Sequence, residues 1–151
     1  MNKYLKYLLV FYFISACSYQ PIFSGKEVDF GIKNLKFNKN NSTDVKINRI
    51  LNNYKDLKNK KKIIDLAITS KINKITTAKN KNGDPKSYRI ELIVKIIVKK
   101  NNEIINNSEF NKSYDYNNIA NKFDLKNFEN SILEGFTEKI AEEIVIHLLS
   151  I

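Results

Sequence analysis

From Tyr88 to Val98 every second residue is apolar. Tyr88, Ile90, Leu92, Val94, Ile96 and Val98 alternate with Arg89, Glu91, Ile93, Lys95, Ile97 and Lys99. Successive side chains of a strand point to opposite faces, so residues 86–100 build a strand with one wholly apolar face. That face must cover a core. The other face mixes charge with isoleucine and is partly apolar too. Upstream, over 63–79, Ile64, Leu66, Ile68, Ser70 and Ile72 share one face against Asp65, Ala67, Thr69, Lys71 and Asn73. Between the two segments lies NKNGDP, residues 80–85, with Asn-Gly at its centre, a strong hairpin signal. Asn101-Asn102 makes a second tight turn. Residues 103–116 then read as a fourth, polar strand at a sheet edge.

The flanking segments change period. Val28, Phe30 and Ile32 alternate, and Leu35 and Phe37 follow out of phase, so 28–37 read as a strand with a bulge near Lys33-Asn34. Over 43–58, Ile47, Ile50, Leu51 and Tyr54 fall at i, i+3, i+4 and i+7, the stripe of a helix, with Val45 and Leu57 extending it. Ser42, Thr43 or Asp44 can cap its start, and the run Lys58 to Lys62 closes it, where cations suit the helix dipole. A long amphipathic helix is expected over 125–149. Phe128, Ile132, Phe136, Ile140, Ile144 and Leu148 recur every four residues, widened by Leu125, Leu133, Ala141 and Val145. Gly135 is expected to let that helix sit close against the sheet. The order β-α-β-β-β-α predicts an α+β fold. Its four-stranded, mainly antiparallel sheet carries two helices packed on one face.

The N-terminus is of another kind. Lys3 and Lys6 precede an apolar run over 7–14 (YLLVFYFI), then Ser15, Ala16 and Cys17. Basic, apolar and small segments in that order form a secretory signal, and the run is far short of the ~20 residues that span a bilayer. Ile14-Ser15-Ala16-Cys17 resembles the lipobox of bacterial lipoproteins. The resemblance implies that residues 1–16 are removed and that Cys17 receives a diacylglyceryl thioether and an N-acyl chain. Two such signals anchor stably where one chain does not. Residues 17–26 then form a lipidated tether, and 27–151 a single domain. Ser18, where inner-membrane lipoproteins often carry Asp, implies the outer membrane of a Gram-negative cell, on its periplasmic side.

The chain has 26 basic and 16 acidic side chains; without Lys3 and Lys6 the mature form has 24 basic ones and a net charge of +8. This balance suits an anionic partner such as a lipid or phosphorylated glycan. The export signal argues against nucleic acid. Lys and Asn filling solvated faces is the competing explanation. Cys17 is the only cysteine, so no disulfide or cysteine metal site is expected. No catalytic motif stands out. His147 is the only histidine, near the end of the last helix, and is expected to be partly solvated there; Glu142 and Glu143 diverge on a helix surface. No metal site, nucleotide loop or cofactor is expected beyond the lipid on Cys17, and no enzymatic activity.

Three stretches resemble a known family. Cys17-Ser18-Tyr19-Gln20-Pro21-Ile22-Phe23 looks like the mature start of the LPS-assembly lipoprotein LptE family. Pro85-Lys86-Ser87-Tyr88-Arg89-Ile90-Glu91-Leu92 and Glu138-Lys139-Ile140-Ala141-Glu142-Glu143-Ile144 resemble its hairpin arm and final helix. The resemblance covers nearly all of the mature chain. It implies a non-catalytic subunit that plugs the β-barrel of an LptD-type partner, supports its folding and serves lipopolysaccharide transport to the outer leaflet. The lysine- and asparagine-rich surface departs from the family pattern, so no lipopolysaccharide contact carries over residue by residue. From the residues themselves, Lys79, Lys81 and Lys86 at the hairpin tip are candidates to meet lipid phosphates. Ile93 and Ile97, or the aromatics Tyr114 and Tyr116, are candidates for the barrel wall. The alternatives are a periplasm-facing lipoprotein binding another ligand or envelope component, and an anchored hydrolase using His147 in a cleft.

Overall fold

The computed structural model describes residues 28–38, 41–57 and 60–151; the signal segment, Cys17 and the tether lie outside the described residues. Its elements are β1 (Phe30–Phe37), α1 (Ser42–Leu51), β2 (Lys62–Lys79), β3 (Pro85–Lys100), β4 (Glu103–Asn117) and α2 (Lys122–Ser150). The sheet order is β1-β2-β3-β4, with β1 parallel to β2 and the other pairs antiparallel. This is the expected α+β architecture, with β4 at one edge.

The out-of-phase pattern of β1 has the expected cause. Its register with β2 slips between Ile32 and Asn34, so Ile32 faces Ile64 while Leu35 and Phe37 face Leu66 and Ile68. The extra residue returns both later side chains to the core face. Both hairpin turns use their residues for backbone reasons. Gly83 has φ of 89°; Asn101 and Asn102 have φ of 52° and 70°, the two positive values of a type I′ turn.

The core lies between one sheet face and the two helices. Leu66, Ile68, Leu92, Val94, Ile96 and Val98 pack there with Ile47 and Leu51 of α1 and with Ile140, Ile144, Val145 and Leu148 of α2. A second cluster toward the hairpin tip joins Tyr88, Ile90, Tyr116 and Leu125.

Several expectations need correction. The cap of α1 is Asn41, whose side chain accepts from Asp44 N at 2.8 Å, while the Asp44 carboxylate accepts from Asn41 N at 3.4 Å. This reciprocal pairing is a capping box. The helix stops at Leu51 rather than 58, followed by a 3-10 turn over Asn52–Tyr54. Tyr54 still reaches the core, stacking on Phe30 with ring centres 5.4 Å apart, and Lys55 bridges to Ile32. Val45 is 49% exposed because it lies about 200° around the helix from Ile47.

α2 begins at Lys122, three residues early, capped by the Asn121 side chain on Phe123 N at 2.9 Å. A spacing of four overshoots the 3.6-residue turn by about 40° per step, so the stripe from Phe128 rotates away from the sheet. Phe128 is 38% exposed and leans on the rings of Tyr114 and Tyr116. Gly135 makes no close approach: a Cβ there would meet nothing within 4 Å. Gly31 is the glycine that does. Its Cβ would lie 3.0 Å from the Leu57 carbonyl oxygen and 3.2 Å from Ile63 Cδ1.

Candidate functional site

β2 and β3 run side by side from Asp65 opposite Lys99 to Lys79 opposite Pro85, and their joining turn is tightly organised. Asn80 N donates to Asp84 O at 2.8 Å and Gly83 N to Asn80 O at 3.1 Å. The Asn80 side-chain oxygen accepts from Asn82 N and Asp84 N at 2.9 and 2.8 Å, and its amide donates to the Asp84 carboxylate at 3.0 Å. The turn is therefore shaped by its own backbone and one asparagine. It brings the expected Lys79, Lys81 and Lys86 together at one end, all exposed, and among the described residues none of the three is ion-paired. Asp84 sits among them and lowers the local charge.

The end of β4 is tied to this turn. Asn118 N donates to Lys86 O at 2.8 Å and its side-chain amide to Pro85 O at 2.9 Å. α2 starts four residues later, so exposed Lys122 and Lys126, with Phe123 at 70% exposure, join the same end. Sequence reasoning missed Phe123 by starting the helix at Leu125; Asn121, a good cap, was the available signal.

Below the tip the upper core is closed by a polar lock. Lys74 Nζ lies 4.2 Å from the Tyr88 ring centre and 2.6 Å from Glu129 Oε1, and the Tyr116 hydroxyl donates to the same oxygen at 2.7 Å. Burial, then the hydrogen bond to the Glu129 carboxylate, pushes the Tyr116 phenol well above its usual range. Tyr116 is buried, which removes it as a surface contact; Tyr114 is 49% exposed.

The sheet face away from the helices is open among the described residues. Ile93 sits between Lys71 and Asn111, and Ile97 between Ala67 and Asn107, both half-buried by these flanking side chains. Ile63 at 41% exposure and Ile75 at 47% extend the apolar stripe. Charged pairs border it. Lys95 meets Glu109 at 2.9 Å, and Arg89 grips Asp115 with two hydrogen bonds of 2.7 and 2.8 Å. The Arg89 hydrogen bond holds the Asp115 carboxyl below the usual carboxylate range, and the same bond raises the guanidinium.

His147 is half-buried and structurally engaged. Its Nε2 lies 2.9 Å from Asn106 Oδ1 and 3.0 Å from Ser108 Oγ, and its ring meets the Phe110 ring edge-on. The Asn106 side-chain oxygen also accepts from the Ser108 hydroxyl at 2.7 Å, so the three polar groups form one hydrogen-bonded cluster. The histidine pins the end of α2 to β4. A groove of about 290 Å³ between α1 and α2, lined by Thr43, Lys46, Asn130, Leu133, Glu134 and Thr137 among others, is bridged by the Lys46–Glu134 pair, and another of about 340 Å³, lined by Lys33, Ile63, Asp65, Lys99 and Asn102 among others, opens at the base of the sheet. Among the described residues no cluster of His, Cys, Asp and Glu could hold a metal ion, and no helix is long and apolar enough to cross a membrane.

No family model matches the chain, and no curated protein matches its sequence. Solved structures do match in fold. Rare lipoprotein B of Shewanella oneidensis is 14% identical, with a TM-score of 0.61 over 80% of this chain and 95% of that one. A lipoprotein B of Nitrosomonas europaea is 9% identical, with a TM-score of 0.54 over 83% and 88%. A minor lipoprotein of Acinetobacter baumannii is 11% identical, with a TM-score of 0.52 over 82% and 92%. At such identities the likeness is one of fold.

Proposed function

We propose that this chain is a lipid-anchored, non-catalytic subunit of the outer-membrane lipopolysaccharide assembly complex. In this reading it plugs an LptD-type β-barrel, supports the folding of that barrel, and meets lipopolysaccharide at its hairpin tip. The observation that carries the reading is the second sheet face. Ile63, Ile93 and Ile97 lie on a side that no described element covers, as a plug needs for contact with a surrounding wall. Three further points support it: the resemblance at Cys17–Phe23, the fold held in common with proteins described as lipoproteins, and the basic, unpaired tip.

Detergent extraction of membranes bearing the tagged full chain tests the reading. A large β-barrel of the LptD type should come down in equal amount. Recovery of the chain without a barrel, from membranes that contain one, overturns it. Lipidation is tested separately with Cys17→Ala, which should abolish palmitate incorporation. Incorporation at the wild-type level would refute the anchor while leaving the barrel test standing.

A further inference from the structure

β1 is much shorter than its neighbour. Its ladder with β2 ends at Phe37 opposite Ile68, with Asn38 N donating to Ile68 O as the last backbone bond. β2 continues to Lys79. Its edge beyond Ser70 is bonded to β3 on one side only, and among the described residues no backbone hydrogen bond reaches the other side. We infer that this edge, residues 71–78 of β2, is a docking site for one extended, acidic segment of a partner protein, which adds there as a further strand in line with β1.

Three observations support the inference. First, isoleucines are exposed on both faces of this one stretch: Ile72 at 38%, in register with Leu92 on the helix side, and Ile75 at 47%, in register with Arg89 on the open side. An added strand covers flanking side chains on both faces at once, whereas a helix or surface docking on one face covers only one. Second, two common protections of a free edge, proline and an early bulge, are missing from Lys71 to Thr76, and the register slips only beyond Thr76. The outer edge of β1, by contrast, is met by Lys55 and Asp56.

Third, charge selects the occupant. Residues 70–79 contain Lys71, Lys74 and Lys79 and no carboxylate. Lys74 is taken by Glu129, whereas Lys71 and Lys79 have no ion-pair partner among the described residues. Opposite charges directly across a strand pair stabilise it, so acidic side chains on the incoming segment complete the pattern. The edge of β4 is different. Its Glu109, Lys112 and Asp115 are already paired with Lys95, Glu143 and Arg89, which leaves a partner no unpaired charge between Asn106 and Asn117. The inference is independent of which envelope complex the chain serves.

The test uses the acylated full chain in detergent micelles and two synthetic ten-residue probes, one alternating valine with glutamate and one alternating valine with lysine. Residue-resolved amide exchange is the readout. Without peptide, alternate amides of 71–78 should exchange quickly. The glutamate peptide should slow them at least tenfold, and the lysine peptide should leave them unchanged. The pair Lys71→Glu and Lys79→Glu, both exposed, should weaken the glutamate peptide at least tenfold with circular dichroism unchanged. Equal protection by both peptides, protection at β4 instead, or no protection overturns the inference. Slow exchange before any peptide is added also overturns it, because a second copy or the chain's own N-terminal segment would then hold the edge.

Discussion

The carboxylate of Asp44 accepts a hydrogen bond from Ser70 Oγ at 2.6 Å, with the two residues only 2% and 1% exposed. Ser70 in turn accepts from the Asn41 amide at 2.8 Å, so the start of α1 is locked to the middle of β2 by polar groups sealed from water. Ser70→Ala removes the best donor to a buried carboxylate. It should cost about 1–3 kcal/mol in urea unfolding, the range for stranding a buried polar group. A loss of a few tenths would mean that water reaches the site.

The two glycines near packed elements should respond in opposite ways. Gly135 sits inside α2 with open space where a Cβ would go, so Gly135→Ala should stabilise the fold by up to about 1 kcal/mol. Gly31→Ala would force a Cβ to within 3.0 Å of the Leu57 carbonyl oxygen and should lower the melting temperature. Thermal unfolding of the two variants side by side checks both signs.

Leu92 and Ile140 are fully buried on opposite sides of the sheet–helix interface. Leu92→Ala and Ile140→Ala should each cost about 2–5 kcal/mol, measured by denaturant titration at constant slope.

Alkaline pH should weaken the fold through Tyr116. Its phenol is raised above the ordinary value of 10.0, so the folded state keeps this proton longer than the unfolded chain does. The contribution is full below pH 10 and is lost as pH rises above it. Tyr116→Phe should flatten that part of the stability profile, with the difference from wild type constant below pH 10 and shrinking only above it. A parallel slope in both proteins would assign the alkaline loss to other groups.

Replacing Lys79, Lys81 and Lys86 with glutamine should lower lipopolysaccharide binding most at low salt and least at high salt. Exposed charges act over about 8 Å at physiological ionic strength and less above it. Binding of the triple variant equal to wild type at low salt would remove the tip as the contact.

Local rules were readable directly. The alternation of β3, Asn-Gly at one turn and Asn101-Asn102 at the other specify their conformations within a few residues, so sequence placed them correctly. The end of α1 was not readable, because Tyr54 and Leu57 keep the helical spacing while leaving the helix. Tyr54 reaches Phe30 from a 3-10 turn, and Leu57 lies over Gly31, contacts between distant segments with no local signature. The tip lysines were found because a turn gathers its own flanks. The bare edge of β2 was not found, since it depends on β1 stopping at Phe37, opposite Ile68, while β2 runs on to Lys79.

That mismatch in length also fixes a polarity. The chain enters at the base of the sheet, where Lys62 N donates to Asp29 O, and the tip lies at the far end of β2. At about 3.3 Å per residue, β2 is on the order of 60 Å of chain. The base and the tip of the sheet are therefore the two ends of a ruler. The three tip lysines lie roughly two hydrocarbon thicknesses from the base of the sheet along its contour, a separation set by strand pairing.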